Sequence, residues 1–245
     1  MSFVKTILNN KGTPNMLLID AIGTISKFIN TAVISPKETY FGDMSQAYFG
    51  MIKLTDPALT TEIGLYDEIN NLSRMLSLFE DPEIQIEGSK LKIQEDDTEA
   101  YFITSDISLI RKGNFDQSEQ LKRTLEAPKC LTVNFTDSLI NRLSKAAGSI
   151  DNAALIIASQ GGKVTLSLKD IDILSSDSNS FTIDITEIAD ANREFQVKID
   201  PSVVNRMPKG GFELSMAYSE RIGSYRTVFK QEQLVVVAAC NKVDD

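Results

Sequence analysis

Short runs in which apolar and polar residues alternate, separated by turn residues, fill most of the chain. A period of two is the mark of half-buried antiparallel strands. The runs fall at 32–34, 39–41, 48–52, 62–66, 83–86, 90–93, 100–103, 131–135, 154–157, 164–168, 181–185, 195–199, 212–216, 225–229 and 234–239. Between them the period lengthens to that of a helix four times. The apolar faces are Ile22/Ile25/Phe28/Ile29, Ile69/Leu72/Leu76/Phe79, Leu139/Ile140/Leu143/Ala147 and Val203/Val204/Met207. An Asp opens each stretch (Asp20, Asp67, Asp137, Asp200) and a base closes it: Lys27, Arg74, Arg142 with Lys145, and Arg206 with Lys209. Asp is a favoured N-cap and complements the positive end of the helix dipole, and Pro201 suits a first helical position. Four short helices of one design are predicted, each capped by its Asp and each turning its base away from the apolar face.

The order is strand, helix, then several antiparallel strands, repeated four times. Such a unit buries one sheet face against its helix, and two units side by side share a core, which predicts an α+β fold of two similar domains with two repeats each. Between the second and third repeats the stretch Arg111-Lys112-Gly113-Asn114-Phe115-Asp116-Gln117-Ser118-Glu119-Gln120 is polar and without sustained period. A connection this long is usually functional or a linker. The domains are therefore placed at 1–106 and 130–245, with a connector at 107–129.

Composition narrows the chemistry. With 42% apolar and 24% charged residues over 245 positions, the chain can build two cores without disulfide or metal staples. No run reaches the roughly 18 apolar residues of a membrane span, and the N-terminus lacks the pattern of a signal peptide, so a soluble intracellular protein with no membrane partner is expected. Cys130 and Cys240 lie in strand-like runs and read as small buried thiols. The absence of histidine removes Ser-His-Asp and Cys-His machinery and all His-ligated metal sites. A net charge of −9 argues against a uniformly basic coat, but says nothing of how charge divides between faces.

The acidic clusters read as structure. Glu95-Asp96-Asp97 lies between two strand-like runs as a hairpin tip, with no second carboxylate pair to complete a two-metal site. Asp170, Asp172 and Asp177 lack the spacing of a calcium loop. Ser159-Gln160-Gly161-Gly162-Lys163 lacks the spacer of a phosphate loop, and a type I′ hairpin turn accounts for its glycines. No cofactor or metal is expected, and no catalytic residue. For one Asp-to-base helix, capping and the dipole suffice as explanation; recurrence in four copies, each in the same strand context, favours a basic surface built to meet an anion.

This ordered set resembles the processivity clamps of DNA replication, and locally the sliding clamp of T-even-type bacteriophages. The match is carried by Ile63-Gly64-Leu65-Tyr66-Asp67 through Leu76-Ser77-Leu78, by Asn205-Arg206-Met207-Pro208-Lys209-Gly210, by the Leu139…Arg142…Lys145 helix and by Val235-Val236-Val237-Ala238-Ala239. An N-terminal stretch at 1–15 and a polar tract at 175–180 depart from the pattern. The resemblance implies a non-enzymatic homotrimeric ring whose helices line a hole around duplex DNA, with Lys27, Arg74, Arg142, Lys145, Arg206 and Lys209 facing the backbone. It implies subunit joints between the strand of Tyr101, Phe102 and Ile103 and that of Phe181, Ile183 and Ile185. It places Ile107, Leu109, Ile110 and Phe115 of the connector over the second domain near Val237 and Ala239, where a peptide of the DNA polymerase or clamp loader docks, and it places the protein in the cytoplasm of an infected bacterial host. The alternative is a non-enzymatic oligomeric interaction protein that does not enclose nucleic acid; an enzyme using carboxylates alone is weaker, for want of a paired acid site.

Overall fold

The alternating runs form strands throughout the computed structural model, which describes residues 17–43, 47–54, 59–111, 117–170, 179–185, 190–191, 193–220 and 223–243. Phe115, Asp172, Asp177, the stretch 1–15 and most of the tract 175–180 lie outside them. Contacts group the chain into two units, one of residues up to 45 with 49–118, the other of 46–48 with 119–245. The first contains α1 (Leu18–Ile25), β1 (Ala32–Ile34), β2 (Glu38–Gly42), β3 (Tyr48–Lys53) apart from its first residue, Tyr48, which groups with the second unit, β4 (Ile63–Leu65), α2 (Ile69–Leu76), β5 (Glu83–Glu87), β6 (Lys90–Glu95), β7 (Thr98–Ile103) and α3 (Ile107–Arg111). After α4 (Gln117–Glu126), at the boundary, come β8 (Lys129–Phe135), α5 (Asp137–Ala147), β9 (Ala153–Gln160), β10 (Lys163–Asp170), β11 (Ser180–Ile185), β12 (Asp190–Ala191) and β13 (Phe195–Ile199). The chain continues through α6 (Ser202–Arg206), β14 (Phe212–Ser219), β15 (Ser224–Lys230), β16 (Leu234–Ala239) and β17 (Asn241–Lys242).

Every pairing within the units is antiparallel, as short turns between strands require. In the first unit β1 pairs with β4, β2 with β3, and β5, β6 and β7 form a meander. In the second, β8 is flanked by β12 and β14, followed by β15 and β16, while β10 joins β11 to β9 and β9 joins β13. The hairpin between β9 and β10 turns on Gly161 and Gly162, both at positive φ (+57° and +76°), the backbone a type I′ turn demands. Glu95-Asp96-Asp97 is a hairpin tip, with Glu95 opposite Thr98 and its carboxylate accepting the N–H groups of Glu80 and Asp81.

The helices bury the predicted faces in part. Of the predicted faces Ile22, Ile25 and Phe28, Ile69, Leu72 and Leu76, and Val203, Val204 and Met207 are buried, joined by Leu18, while Ile29 and Phe79 are half-buried. On α5 only Leu143 is fully covered, with Leu139, Ile140 and Ala147 half-buried. The first core is completed by Ile34, Phe41, Phe49, Ile52 and Leu65, the second by Phe135, Leu155, Leu166, Leu214 and Phe229. Phe135 stacks on Phe212 at 5.1 Å, and Phe212 meets Phe229 edge-on at 5.5 Å.

The predicted polar connector is helical over much of its length. Leu121 is the buried residue of α4, too sparse an apolar signal to register as a period. Both thiols are free. Cys130 is buried and donates to the Met216 carbonyl at 3.4 Å, and Cys240 lies 2.9 Å from the Thr227 hydroxyl. Burial pushes both thiols up, Cys240 to about 11. Among the described residues no group of three or more His, Cys, Asp or Glu could hold a metal ion, and no helix is long and apolar enough to cross a membrane.

Candidate nucleic-acid interface

Each unit carries a helix pair on its sheets, and the paired helices meet beside the predicted bases. In the first, α1 packs on α2 and Ser26 Oγ lies 3.5 Å from Ser73 Oγ. Lys27 and Arg74 are the next residues, both exposed. In the second, α5 packs on α6, Ser144 Oγ donates to Asn205 Oδ1, and Lys145 and Arg206 follow. Arg142 lies three residues before Lys145, which puts both on one side of α5, and Lys209 stands exposed in the loop beyond α6. Lys27 and Arg74 thus follow the contacting residues of the first helix pair, and Lys145 and Arg206 those of the second, while the Arg142 guanidinium lies 5.9 Å from the Phe181 ring centroid.

Arg206 differs from the other five. It is half-buried, its guanidinium 5.1 Å from the Tyr48 ring centroid. The Tyr48 hydroxyl donates to Asp200 Oδ2 at 2.6 Å, and Ser202 donates to Asp200 through its N–H at 2.8 Å and its hydroxyl at 2.6 Å. Burial works to raise the Asp200 carboxyl, but the bonds from Ser202 and Tyr48 and the Arg206 charge outweigh it and hold the group below its ordinary value. That contribution to stability is present above the unfolded value near 3.8 and is lost as pH falls through the lowered one. Tyr48 is pushed up to about 12, first by burial and then by its bond to Asp200. Its protonated form is the one the fold prefers, so this contribution is complete below pH 10.0 and lost on rising towards 12. Asp200→Asn is expected to bring the Tyr48 titration down towards 10.0, followed by tyrosinate absorbance; an unmoved midpoint would assign the shift to burial alone.

The four Asp residues do not share one role. Leu17 is the N-cap of α1, without a side-chain cap bond, and Asp20 sits in the first turn. Asp67 has φ +54° and precedes the N-cap residue Glu68; α2 is capped from outside by Asn30, whose Oδ1 accepts the Asn70 N–H at 2.9 Å. At α5 the cap is Thr136, whose hydroxyl accepts the Leu139 N–H at 3.3 Å, and Asp137 is the first helical residue. Asp200 comes nearest to the predicted role through its bonds to Ser202. A cap choice depends on which acceptor the tertiary fold presents to the free N–H groups, and that is not written in the local sequence.

The residues expected to receive a partner peptide are divided by the structure. Ile110 is buried, and a Cβ on Gly64 would lie 3.1 Å from Ile110 Cδ1 and 3.3 Å from Ile107 Cγ1, so α3 packs on β4 of the first unit. Ile107 and Ile110 thus lean on Gly64 of β4 in the first unit, Ile110 buried and Ile107 half-buried. Val237 is wholly buried in β16 and lines no surface, and Ala239 is half-buried. Leu109 is 61% exposed. Of the expected joint residues, Tyr101 (49%) and Ile103 (69%) are exposed and Phe102 is buried; Phe181, Ile183 and Ile185 are half-buried. Sequence reasoning missed Asn30, Thr31, Tyr48 and Gln231, which hold these segments through bonds to residues distant in sequence.

No protein-family profile and no curated protein matches the sequence. Solved structures do match. The PCNA of A. fulgidus bound to the C-terminal region of FEN-1 aligns with a TM-score of 0.65 at 16% identity, over 93% of this chain and 96% of that one. A putative DNA polymerase III beta subunit from Eubacterium rectale aligns at 0.62 and 10% identity, over 99% of this chain and 68% of that one. The H. pylori beta clamp bound to a DNA ligase peptide aligns at 0.61 and 11%, over 92% and 64%. The chain spans nearly all of the archaeal protein and about two thirds of the bacterial ones, and its fold is that of the DNA sliding clamps.

Proposed function

We propose that this chain is a non-enzymatic sliding clamp, of the T-even bacteriophage type, that closes as a homotrimer around duplex DNA and tethers a DNA polymerase for processive synthesis in the cytoplasm of the infected host. The observation that carries the reading is the placing of exposed bases beside the helix-pair contact in both units of a clamp fold. Lys and Arg contacts to phosphates are independent of sequence and individually weak, which suits a protein that must slide. The domains are read as 1–106 and 130–245, and three two-domain chains supply a six-domain ring.

Joints between chains are supported by two sheet edges. Among the described residues β7 and β11 each end their sheets. Phe181, Ile183 and Ile185 stand opposite Leu168, Leu166 and Val164, so an apolar face is left half-covered where the next strand would lie. Pairing with β7 of another copy removes both edges. The solved clamps carry peptides of FEN-1 and DNA ligase, and by analogy this chain is read as docking peptides of a DNA polymerase and a clamp loader.

Enclosure is tested by topology. Protein loaded on circular duplex is expected to resist high salt and to leave when the circle is cut; loss from intact circles by salt alone would sink the reading. Native mass is expected at roughly three times 27.1 kDa.

A further inference from the structure

We infer that Asp137 is a positioning residue that fixes the Lys209 segment so that the Lys209 ammonium meets a backbone phosphate; this rests on the proposal that the face of α5 and α6 meets DNA. Asp137 Oδ1 accepts the N–H groups of Gly210 at 3.0 Å and Gly211 at 3.1 Å. From the other side Gln231 Nε2 donates to the carbonyls of Lys209 at 3.1 Å and Gly211 at 2.9 Å. The backbone on both sides of Lys209 is therefore gripped, while its side chain is exposed. The grip needs this backbone. Gly210 and Gly211 have φ of +110° and +73°, and a Cβ on Gly211 would lie 2.8 Å from the Phe135 carbonyl oxygen. Helix α6 ends at Arg206 and cannot itself hold a residue three positions further on.

In the first unit the corresponding Asp67 bonds further from its lysine. Thr31 Oγ1 donates to Asp67 Oδ1 at 3.0 Å and accepts the Asp67 N–H at 2.9 Å, and Asn30 Nδ2 donates to the Asp67 carbonyl at 2.8 Å. Asp137 thus holds backbone directly beside Lys209, whereas Asp67 bonds to Asn30 and Thr31, beyond the exposed Lys27. Neither Asp is the N-cap of its helix.

The inference predicts a sign that simple charge accounting does not. Asp137 is an exposed carboxylate on a surface read as meeting phosphate, so deleting it ought to tighten binding if charge alone mattered. Positioning makes Asp137→Ala weaken binding, because a lysine on a loose segment loses entropy when it pairs. Asp137→Asn, which keeps an acceptor oxygen and drops the charge, is expected to bind at least as well as wild type.

The experiment is the salt dependence of equilibrium binding to a short linear duplex, where no enclosure holds the protein and phosphate contacts alone are read, followed by anisotropy for wild type, Lys209→Gln, Asp137→Ala, Asp137→Asn and the Asp137→Ala/Lys209→Gln double variant. Lys209→Gln and Asp137→Ala are each expected to lower the salt slope by about 1 per engaged subunit. The double variant is expected to lose no more than either single one, the signature of two residues acting through one contact. Gln231→Ala changes no charge and is expected to weaken binding in the same direction, which keeps the test open if Asp137→Ala fails to fold. If Lys209→Gln weakens binding while Asp137→Ala and Gln231→Ala do not, positioning is overturned and the DNA-facing reading survives. If wild type binds but Lys209→Gln is silent, Lys209 is no contact and the inference is overturned. Absence of salt-dependent binding in wild type overturns the DNA-facing reading itself, and the inference with it.

Discussion

The Gly64→Val variant is expected to lose about 3 kcal/mol or more from the stability of the first unit, and Gly64→Ala about 2 kcal/mol. Gly64 lies in β4 with Val33 opposite it on one side and Ser105 bridged to it on the other, the Ser105 N–H donating to its carbonyl at 2.7 Å. A Cβ there would stand 2.5 Å from the Ser105 carbonyl oxygen, and backbone cannot swing aside as a side chain can. Relief requires β4 to part from Ser105, which exposes Ile63 and Leu65 and lifts α3 with its buried Ile110. Gly23 is the matched control. A Cβ at Gly23, inside α1, meets nothing within 4 Å, so Gly23→Ala is expected to stabilise by about 0.5–1 kcal/mol through helix propensity. Urea unfolding followed in the first unit compares them; equal midpoints for Gly64→Ala and Gly23→Ala would show that the bridge to Ser105 yields freely.

Where structure depends on near neighbours, the sequence was legible. Strand after strand appears where alternation is clean, because one covered face imposes a period of two, and Gly161-Gly162 turns as its composition demands. The Asp residues show where that legibility stops. Asp67 bonds to Thr31, 36 positions away, and Asp137 to Gly210, 73 away, so their roles are settled by which segment the fold lays beside them. Without those neighbours an Asp before a helix can be read only as a cap. The connector shows the same dependence: nothing local to Ile107 and Ile110 reveals that Gly64 of β4, lacking a Cβ, leaves room for their side chains. Among the candidate site residues, position on a helix and exposure were readable for Arg74, Arg142 and Lys145. That Arg206 shares its charge with Asp200 and lies against Tyr48 was not, since Tyr48 is 152 positions from Asp200.

Reversing Arg142→Glu together with Lys145→Glu is expected to cut retention on a short linear duplex, where no enclosure holds the protein, by at least about 100-fold at moderate salt, while the native mass stays unchanged. Both side chains are exposed on α5, which carries them on one side while its apolar residues face β10. Each lost phosphate contact lowers the slope of log affinity against log salt by about 0.9, and about six sites would be changed across a three-chain ring. A glutamate also repels the phosphate its predecessor attracted, so reversal costs more than truncation. The control must change net charge equally on another face. Lys163 and Lys169 of β10 are exposed and alternate with Val164, Leu166 and Leu168, the buried side towards α5. A period of two therefore turns both lysines away from the helix layer. Lys163→Glu with Lys169→Glu is expected to leave retention within about twofold of wild type, because charges on the far side of a sheet stand beyond a Debye length of about 8–10 Å from the duplex. Equal loss in the two double variants would mean that overall charge, and not a basic helix face, governs attachment, and the ring wall would have to be sought elsewhere on the chain.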